Sequence, residues 1–427
     1  MIKRLKNFLK SPSKKTVLKN FFSLSILQGL NMVLPLITYP YLIRVLGTES
    51  FGLLMFATAV ITYFQIFTEY SFNMTGTKEI SVHSNDSQKV HSIFNEVMHT
   101  KMLLLLISLG LLTLVVVAVP VFKQHSLIYF ITFGNVVGLS IFPAWFFQGM
   151  QKMKAVSLIN IGSKIFFTAG IFVFVKGPQD VWLAALLTAC GYIFAGIICF
   201  LYAIQCFKLP LKMQPLHRIK QQLLLGKYLF LSELKISLFT NTNTLLLGFI
   251  AGNTAVTYFA SAEKLARAIG NVFTPLTAAL FPFFAKEITI DKHKAYAAIV
   301  RITAIGSILF LVGAIPVFIF SDAIIRLIYG PGMDNSVLIF RILLFIPLAS
   351  FIDNMFGKQV LLTLGKDNLY FRVILTAALS NVLLNLILTP MYSYIGTAIA
   401  LLITQLIIDA GMYHYARKQL KKNSAYA

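Results

Sequence analysis

Long stretches of the chain are apolar on every side, and short polar, mostly basic segments separate them. The apolar runs fall at residues 21–43, 51–72, 102–121, 127–147, 155–175, 181–204, 228–250, 254–284, 302–320, 337–356, 369–388 and 394–413. None has the one-sided stripe of a helix resting on a water-soluble core. Each holds about 20 residues or more, enough for one bilayer crossing as a helix. Helix is also the form that satisfies every backbone group of a single segment in lipid. The pattern therefore predicts an all-α integral membrane protein of about 12 transmembrane helices. Pro35, Pro40, Pro120, Pro143, Pro275, Pro282 and Pro347 interrupt or end several runs, which membrane helices tolerate where neighbours or a cavity satisfy the freed backbone.

Composition agrees with this pattern. Of 427 residues, 57% are hydrophobic and 12% charged, against about 25% charged in soluble domains. That excludes a water-soluble, a disordered or an outer-membrane barrel protein, whose polar lumen would dilute the apolar fraction. The three cysteines, Cys190, Cys199 and Cys206, lie on one run and its edge and suggest neither a disulfide framework nor zinc. The net charge of +22 is explained by where the basic residues sit. Lys3 to Lys19 precede the first run, and if that end is cytoplasmic, most other Lys and Arg outside the runs share its side. Only Arg44, Lys123, Lys176 and Arg326 fall on the opposite side. This is the positive-inside bias, which puts both termini in the cytoplasm. The charge calls for no nucleic acid. The first run is too long for a secretory signal and lacks a cleavage site, so it is expected to stay as a span. External loops are short, the longest at 321–336, so no folded domain is expected outside the membrane.

An internal repeat follows. Leu46-Gly47-Thr48-Glu49-Ser50 corresponds to Ala251-Gly252-Asn253-Thr254-Ala255, Lys78-Glu79-Ile80 to Lys286-Glu287-Ile288, and Gly149 to Gly365. The expected organisation is a basic N-terminus (1–20), a six-helix lobe (21–207), a basic cytoplasmic linker (208–227), a second six-helix lobe (228–415) and a cytoplasmic tail (416–427). Parallel halves of this kind form two pseudo-repeat lobes around a central cavity and substrate path.

Ten ionisable residues fall at membrane depth: Lys164, Lys235, Lys264, Arg267, Arg341, Glu69, Glu233, Glu263, Asp353 and Asp409. Each costs at least about 2.5 kcal/mol near the bilayer centre, so they should face protein or a watery cavity. Glu263 and Arg267 have the i,i+4 spacing of an intrahelical pair, while Glu69 and Arg341 sit near span ends and can snorkel. Lys164 has no carboxylate nearby on its own helix. Lys264 and Arg267 share one helix face at middle depth. A cavity lined by Lys164, Lys235, Lys264, Arg267 and Arg341 suits an anion, and phosphate or diphosphate is the natural one. Gln28, Asn31, Gln65, Asn160, Ser163, Asn241, Asn243, Asn271, Asn381, Asn385 and Gln405 add amides and hydroxyls, which serve either sugars or contacts between helices. Glu233, Glu263, Asp353 and Asp409 are candidate ion-coupling or gating groups.

Signals for catalysis are poor. The chain has no GxGxxG after a strand, no P-loop, no HExxH and no GxSxG, and its seven histidines lie in loops or at span ends. His91 and His99 belong to a mixed-charge segment that reads as a solvated helix. Neither catalytic residues, a cofactor nor a metal site is expected, apart from proton or cation coupling.

Several motifs resemble a known family. Gln28-Gly29-Leu30-Asn31 with Pro35, Tyr39-Pro40-Tyr41-Leu42, Arg44-Val45-Leu46-Gly47 and Phe51-Gly52 is similar to the opening of bacterial polysaccharide (O-antigen) flippases. Pro143-Ala144-Trp145-Phe146-Phe147-Gln148-Gly149-Met150, Tyr258 to Leu265, Pro275 to Pro282 and Asn381 to Leu386 with Pro390 and Ile395-Gly396-Thr397-Ala398 continue the likeness nearly end to end. The resemblance implies the multidrug/oligosaccharidyl-lipid/polysaccharide exporter fold, a V of two lobes. It also implies the substrate, an oligosaccharide on undecaprenyl diphosphate flipped to the periplasmic leaflet by alternating access. Glu263 and Lys264 belong to the family pattern. The expected partners are this lipid-linked oligosaccharide, membrane lipid and other polysaccharide-assembly proteins. A cation-coupled drug exporter of the same fold is the first rival, disfavoured by the cationic cavity. A membrane polymerase or glycosyltransferase is the second, disfavoured by the short external loops.

Overall fold

The computed structural model describes residues 12–422; side chains up to residue 28, those of Asn31 and Lys235, and several between 236 and 289 lie outside that description. Every regular element among the described residues is helical, with no strand. The helices are α1 (Pro12–Glu69), α2 (Phe72–Val82), α3 (Ser87–Ala118), α4 (Ser126–Ile141), α5 (Ala144–Gly149), α6 (Met153–Phe174), α7 (Val181–Phe207) and α8 (Leu216–Thr240). They continue as α9 (Thr242–Gly270), α10 (Thr274–Ile290), α11 (Lys292–Ile319), α12 (Ser321–Tyr329), α13 (Asn335–Leu343), α14 (Ile346–Asp353), a π-helical segment (Asn354–Leu362) and α15 (Asp367–Lys422).

Among the described residues, nine helices are long and apolar enough to cross a membrane, against twelve apolar runs. The difference has a local cause. Met32–Val82 and Asp367–Gln419 hold 51 and 53 residues, each more than twice the roughly 20 needed for one crossing. The first breaks at Gly47 (φ 76, ψ 174) and the second at Ser393 (φ 51, ψ −132). Runs 228–250 and 254–284 are divided differently: α8 stops at Thr240, and α9 breaks at Gly252 (φ 80, ψ 179). Pro143 and Pro347 stand at the starts of α5 and α14 and Pro120 opens a further short helix, Pro120–Gln124, where a missing N–H costs nothing, whereas Pro35 and Pro40 remain inside α1.

The chain divides into two compact units. One ends at Leu46 and resumes over Ala57–Leu234; the other takes Gly47–Phe56 and begins again at Lys235. In the first, α2 lies on α5: Thr77 donates from Oγ1 to the Trp145 carbonyl (3.0 Å), over a core of Phe72, Ile80, Phe94, Trp145, Phe146 and Phe147. In the second, Gln359 of the π-helical segment donates from Nε2 to the Thr277 carbonyl of α10 (2.8 Å), over Phe284, Ile288, Phe351, Met355, Val360 and Leu361. These are corresponding places in the two units.

The turn that follows each place revises one repeat match. Lys152 N–H bonds the Phe147 carbonyl (2.9 Å) and Gln151 N–H bonds Gln148 (3.1 Å); Lys366 N–H bonds Leu361 (2.8 Å) and Gly365 N–H bonds Leu362 (3.0 Å). Both are the paired bonds that close a helix through one left-handed residue. Gly365 (φ 66) therefore corresponds to Gln151 (φ 56), not to Gly149.

The expectation of a solvated helix around His91 is also overturned. Val90, Ile93, Phe94, Val97, Met98, Lys101 and Leu104 form the buried face of α3. Nor does 208–227 hang free: Asn95 of α3 holds the backbone at Pro210 and Lys212, and Gln222 of α8 donates to both Glu79 (3.1 Å) and Glu96 (3.0 Å).

Candidate functional site

In the first unit, α6 carries Lys164 half-buried, with Nζ 4.9 Å from the centre of the Tyr192 ring on α7. A cation over an aromatic face is attracted by the ring's electron-rich surface. One to two turns earlier on the same helix, Ser157 and Asn160 are buried, and Ser157 Oγ and Asn160 Oδ1 meet no hydrogen-bond partner among the described residues. Ser163 is closed on the Ile159 carbonyl (2.8 Å). The unit thus presents a cation with unspent polar atoms beside it.

Glu69 does not snorkel. Its Oε1 lies 2.9 Å from Nζ of Lys101, whose side chain is wholly buried. Lys101 also donates to the Leu139 carbonyl (3.1 Å). Glu233 on α8 stands close to Glu69 and Ser71, where Tyr70 and Ser71 both take left-handed backbone between α1 and α2. Lys101 was placed by sequence among the solvent-facing charges, yet the period of α3 puts it on the stripe with Val97 and Leu104, a signal that could have found it. The Lys235 side chain lies outside the described residues.

In the second unit, Arg267 donates to Glu263 Oε1 from Nη2 (2.7 Å) and Nε (3.0 Å), the intrahelical pair expected from the spacing. Lys264, half-buried on the same stretch of α9, stands near both. Two cations and one carboxylate leave this stretch of helix with a positive excess. Arg341 is held elsewhere: its Nε donates to Ser321 Oγ (2.6 Å) and its guanidinium lies 5.4 Å from the Phe318 ring centre.

The structure brings Asp353 and Asp409 together around one amide. Gln405 donates from Nε2 to Asp353 Oδ2 (2.7 Å), and Asp409, one turn on from Gln405, faces both, with Oδ1 buried and unmatched among the described residues. Asp353 opens the π-helical segment, a geometry frequent at functional sites.

Most of the remaining amides serve the fold. Asn385 donates to Asn243 Oδ1 (2.8 Å) and to the Asn381 carbonyl (2.9 Å), Asn381 to Thr404 (3.1 Å), and Thr389 meets Thr397 (2.9 Å), all fully buried. Asn241 donates to Ser237 (3.0 Å). The Asn385–Asn243 and Asn381–Thr404 bonds join separate spans, as the helix-contact reading expects, whereas the Asn241 bond is local. Gln28 and Asn31 lie outside the described side chains.

A family model described as "Polysaccharide biosynthesis protein" matches residues 17–288. Two proteins named "Putative O-antigen transporter" align over nearly the whole chain. That of Escherichia coli (strain K12) is 31% identical over 412 residues, 95% of this chain and 98% of its own. That of Shigella dysenteriae is 27% identical over 401 residues, 91% and 97%. The fold is that of two solved transporters: the lipid II flippase MurJ in its inward closed conformation (TM-score 0.70, 15% identity, 92% of this chain and 87% of that one), and an inward-facing multidrug resistance transporter of the MATE family (TM-score 0.69, 14% identity, 94% and 98%).

Proposed function

The chain belongs to the polysaccharide biosynthesis protein family, and from that membership we propose that it is a flippase for an undecaprenyl-diphosphate-linked oligosaccharide, working by alternating access. It resides in the inner membrane with both termini cytoplasmic and crosses it twelve times. The names of its relatives support a carrier of lipid-linked polysaccharide rather than an enzyme.

The observation that carries the reading is the positive excess on α9. Glu263 bonds Arg267 twice, and with Lys264 beside them the stretch holds two cations to one carboxylate. Lysine and arginine bind phosphate through charge-assisted hydrogen bonds, so a stretch with an excess of cations suits a diphosphate. Lys164, on α6 of the first unit, is by itself also a cation of the kind that binds phosphate. Unmatched polar atoms at Ser157 and Asn160 suit sugar hydroxyls. Asp353 and Asp409, sharing Gln405, are the coupling groups that fit a proton or cation, and Glu233 is a third.

Deleting the gene separates the reading from a polymerase. Loss of a flippase strands single repeat units on their lipid in the cytoplasmic leaflet, beyond reach of a periplasmic glycan probe in intact cells. Their exposure in the periplasm instead would overturn the proposal.

A further inference from the structure

We propose that residues 208–220, the connection after α7 together with the first turn of α8, form a strap that anchors the protein to the surface of an anionic phospholipid leaflet. This rests on the reading of the chain as membrane-spanning, and not on what it carries. The strap's backbone is fixed by side chains of α3. Asn95 donates from Nδ2 to the Pro210 carbonyl (2.8 Å) and accepts at Oδ1 from Lys212 N–H (3.1 Å), gripping the chain on both sides of Leu211. Leu209 is packed inside.

So held, the strap turns its apolar side chains away from the protein. Leu211 is 61% exposed, Met213 90% and Leu216 76%, and Met213 is the most exposed large apolar residue among those described. A strap gripped this firmly could have buried them, as it buries Leu209. Lys208, Lys212 and Lys220 are exposed between and beside them, and residues 181–232 contain no Asp or Glu. Apolar tips alternating with lysines fit an interface in which the tips enter the acyl boundary and the ammonium groups reach the phosphates. The helices that continue the chain on either side also carry exposed leucines, with Leu201 of α7 and Leu224 and Leu225 of α8 about half exposed. Charge complementarity and this continuity favour lipid over a soluble protein as the occupant.

The test uses the full chain with Cys190, Cys199 and Cys206 replaced by Ala, and a single Met213→Cys carrying an environment-sensitive fluorophore. It is reconstituted in vesicles of phosphatidylcholine with or without phosphatidylglycerol; Leu216→Cys serves as a second site if the first variant folds poorly, and Asn85→Cys in the turn before α3 as the aqueous reference. The label at 213 should be quenched by nitroxide lipids and shielded from iodide, more so in the anionic vesicles. Lys212→Gln should weaken that anionic preference by about fivefold, the factor one cationic side chain contributes near an anionic leaflet. Iodide access at 213 equal to that at 85 would overturn the anchor and leave the strap as a surface for a soluble partner. Equal insertion in neutral and anionic vesicles would overturn the proposed lipid charge. Neither result touches the transport reading, which the leaflet assay tests separately.

Discussion

Nζ of Lys101 lies 2.9 Å from Oε1 of Glu69, and the lysine side chain is wholly buried while the glutamate is 14% exposed. The pair ties α3 to the end of α1, beside the left-handed break at Tyr70 and Ser71. Asn73 donates to the second carboxylate oxygen (3.3 Å) and the Leu139 carbonyl accepts a hydrogen bond from the lysine, so both partners have more than each other.

Removing one member leaves the other charge buried. Lys101→Ala should therefore destabilise the protein by about 3–5 kcal/mol. Lys101→Met combined with Glu69→Gln should recover most of that loss, because neither side chain then carries a charge. Thermal unfolding of the purified variants in one detergent checks both. A double variant no better than Lys101→Ala would mean that the pair's geometry, not its charge balance, holds the helices.

The repeat supplies a conformational prediction. Gln151 and Gly365 close corresponding helices with φ of 56° and 66°, a backbone that costs an L-residue roughly 1–2 kcal/mol. A Cβ on Gly365 would meet nothing within 4 Å, so only the backbone decides. Gln151→Gly should raise stability by up to about 1 kcal/mol, and Gly365→Gln should lower it by about as much, once the looser unfolded chain of glycine is allowed for. Opposite shifts in the unfolding midpoint are the expected result.

The helical class and the Gly47/Gly252 correspondence were legible in sequence because glycine at a span junction reports a backbone that other residues avoid. Both take φ near +80° with ψ near 180°, a region essentially confined to glycine. The Glu263–Arg267 pair was legible because spacing within one helix fixes it. Lys101–Glu69 and Asp353–Gln405–Asp409 were not, since their partners come from different helices and no periodicity encodes which helices meet. The shift from Gly149 to Gln151 had the same root: the capping turn is defined by hydrogen bonds, and glutamine there carries no sign of a left-handed backbone.

Asp291 precedes α11 and accepts from the N–H groups of His293 and Lys294, both at 3.0 Å. The bonds from Lys294 and His293 and the nearby Lys294 charge hold its carboxyl below the usual range. A lowered pKa adds stability above the unfolded value that is lost as pH falls through the folded one. Asp291→Asn keeps the cap acceptor but drops the charge. The variant should melt below the parent at neutral pH, and the gap should close as pH falls below about 4. A gap that persists undiminished in acid would show that the charge contributes nothing.

The mid-membrane cations give the sharpest functional contrast. Arg267 bonds Glu263 twice, so its role is either to neutralise that acid or to offer its remaining N–H groups to a diphosphate. Arg267→Glu should abolish surface polysaccharide while the protein still inserts, which both roles predict. The double change Glu263→Ala with Arg267→Ala separates them, because it removes both charges and strands neither. Normal export in the double variant removes Arg267 from the site, whereas lost export leaves a role beyond mutual neutralisation to one of the two. Arg267→Lys should retain part of the activity, since the charge survives without the planar fork. Lys264→Ala and Lys164→Ala bear on the positive excess itself. Each should cut export at matched protein levels, and each lysine should tolerate Arg better than Met, because the anion needs a cation rather than a stem of similar length. Equal export by the Arg and Met variants at both positions would mean that no anion is read there, and the diphosphate reading of α9 would fall with it.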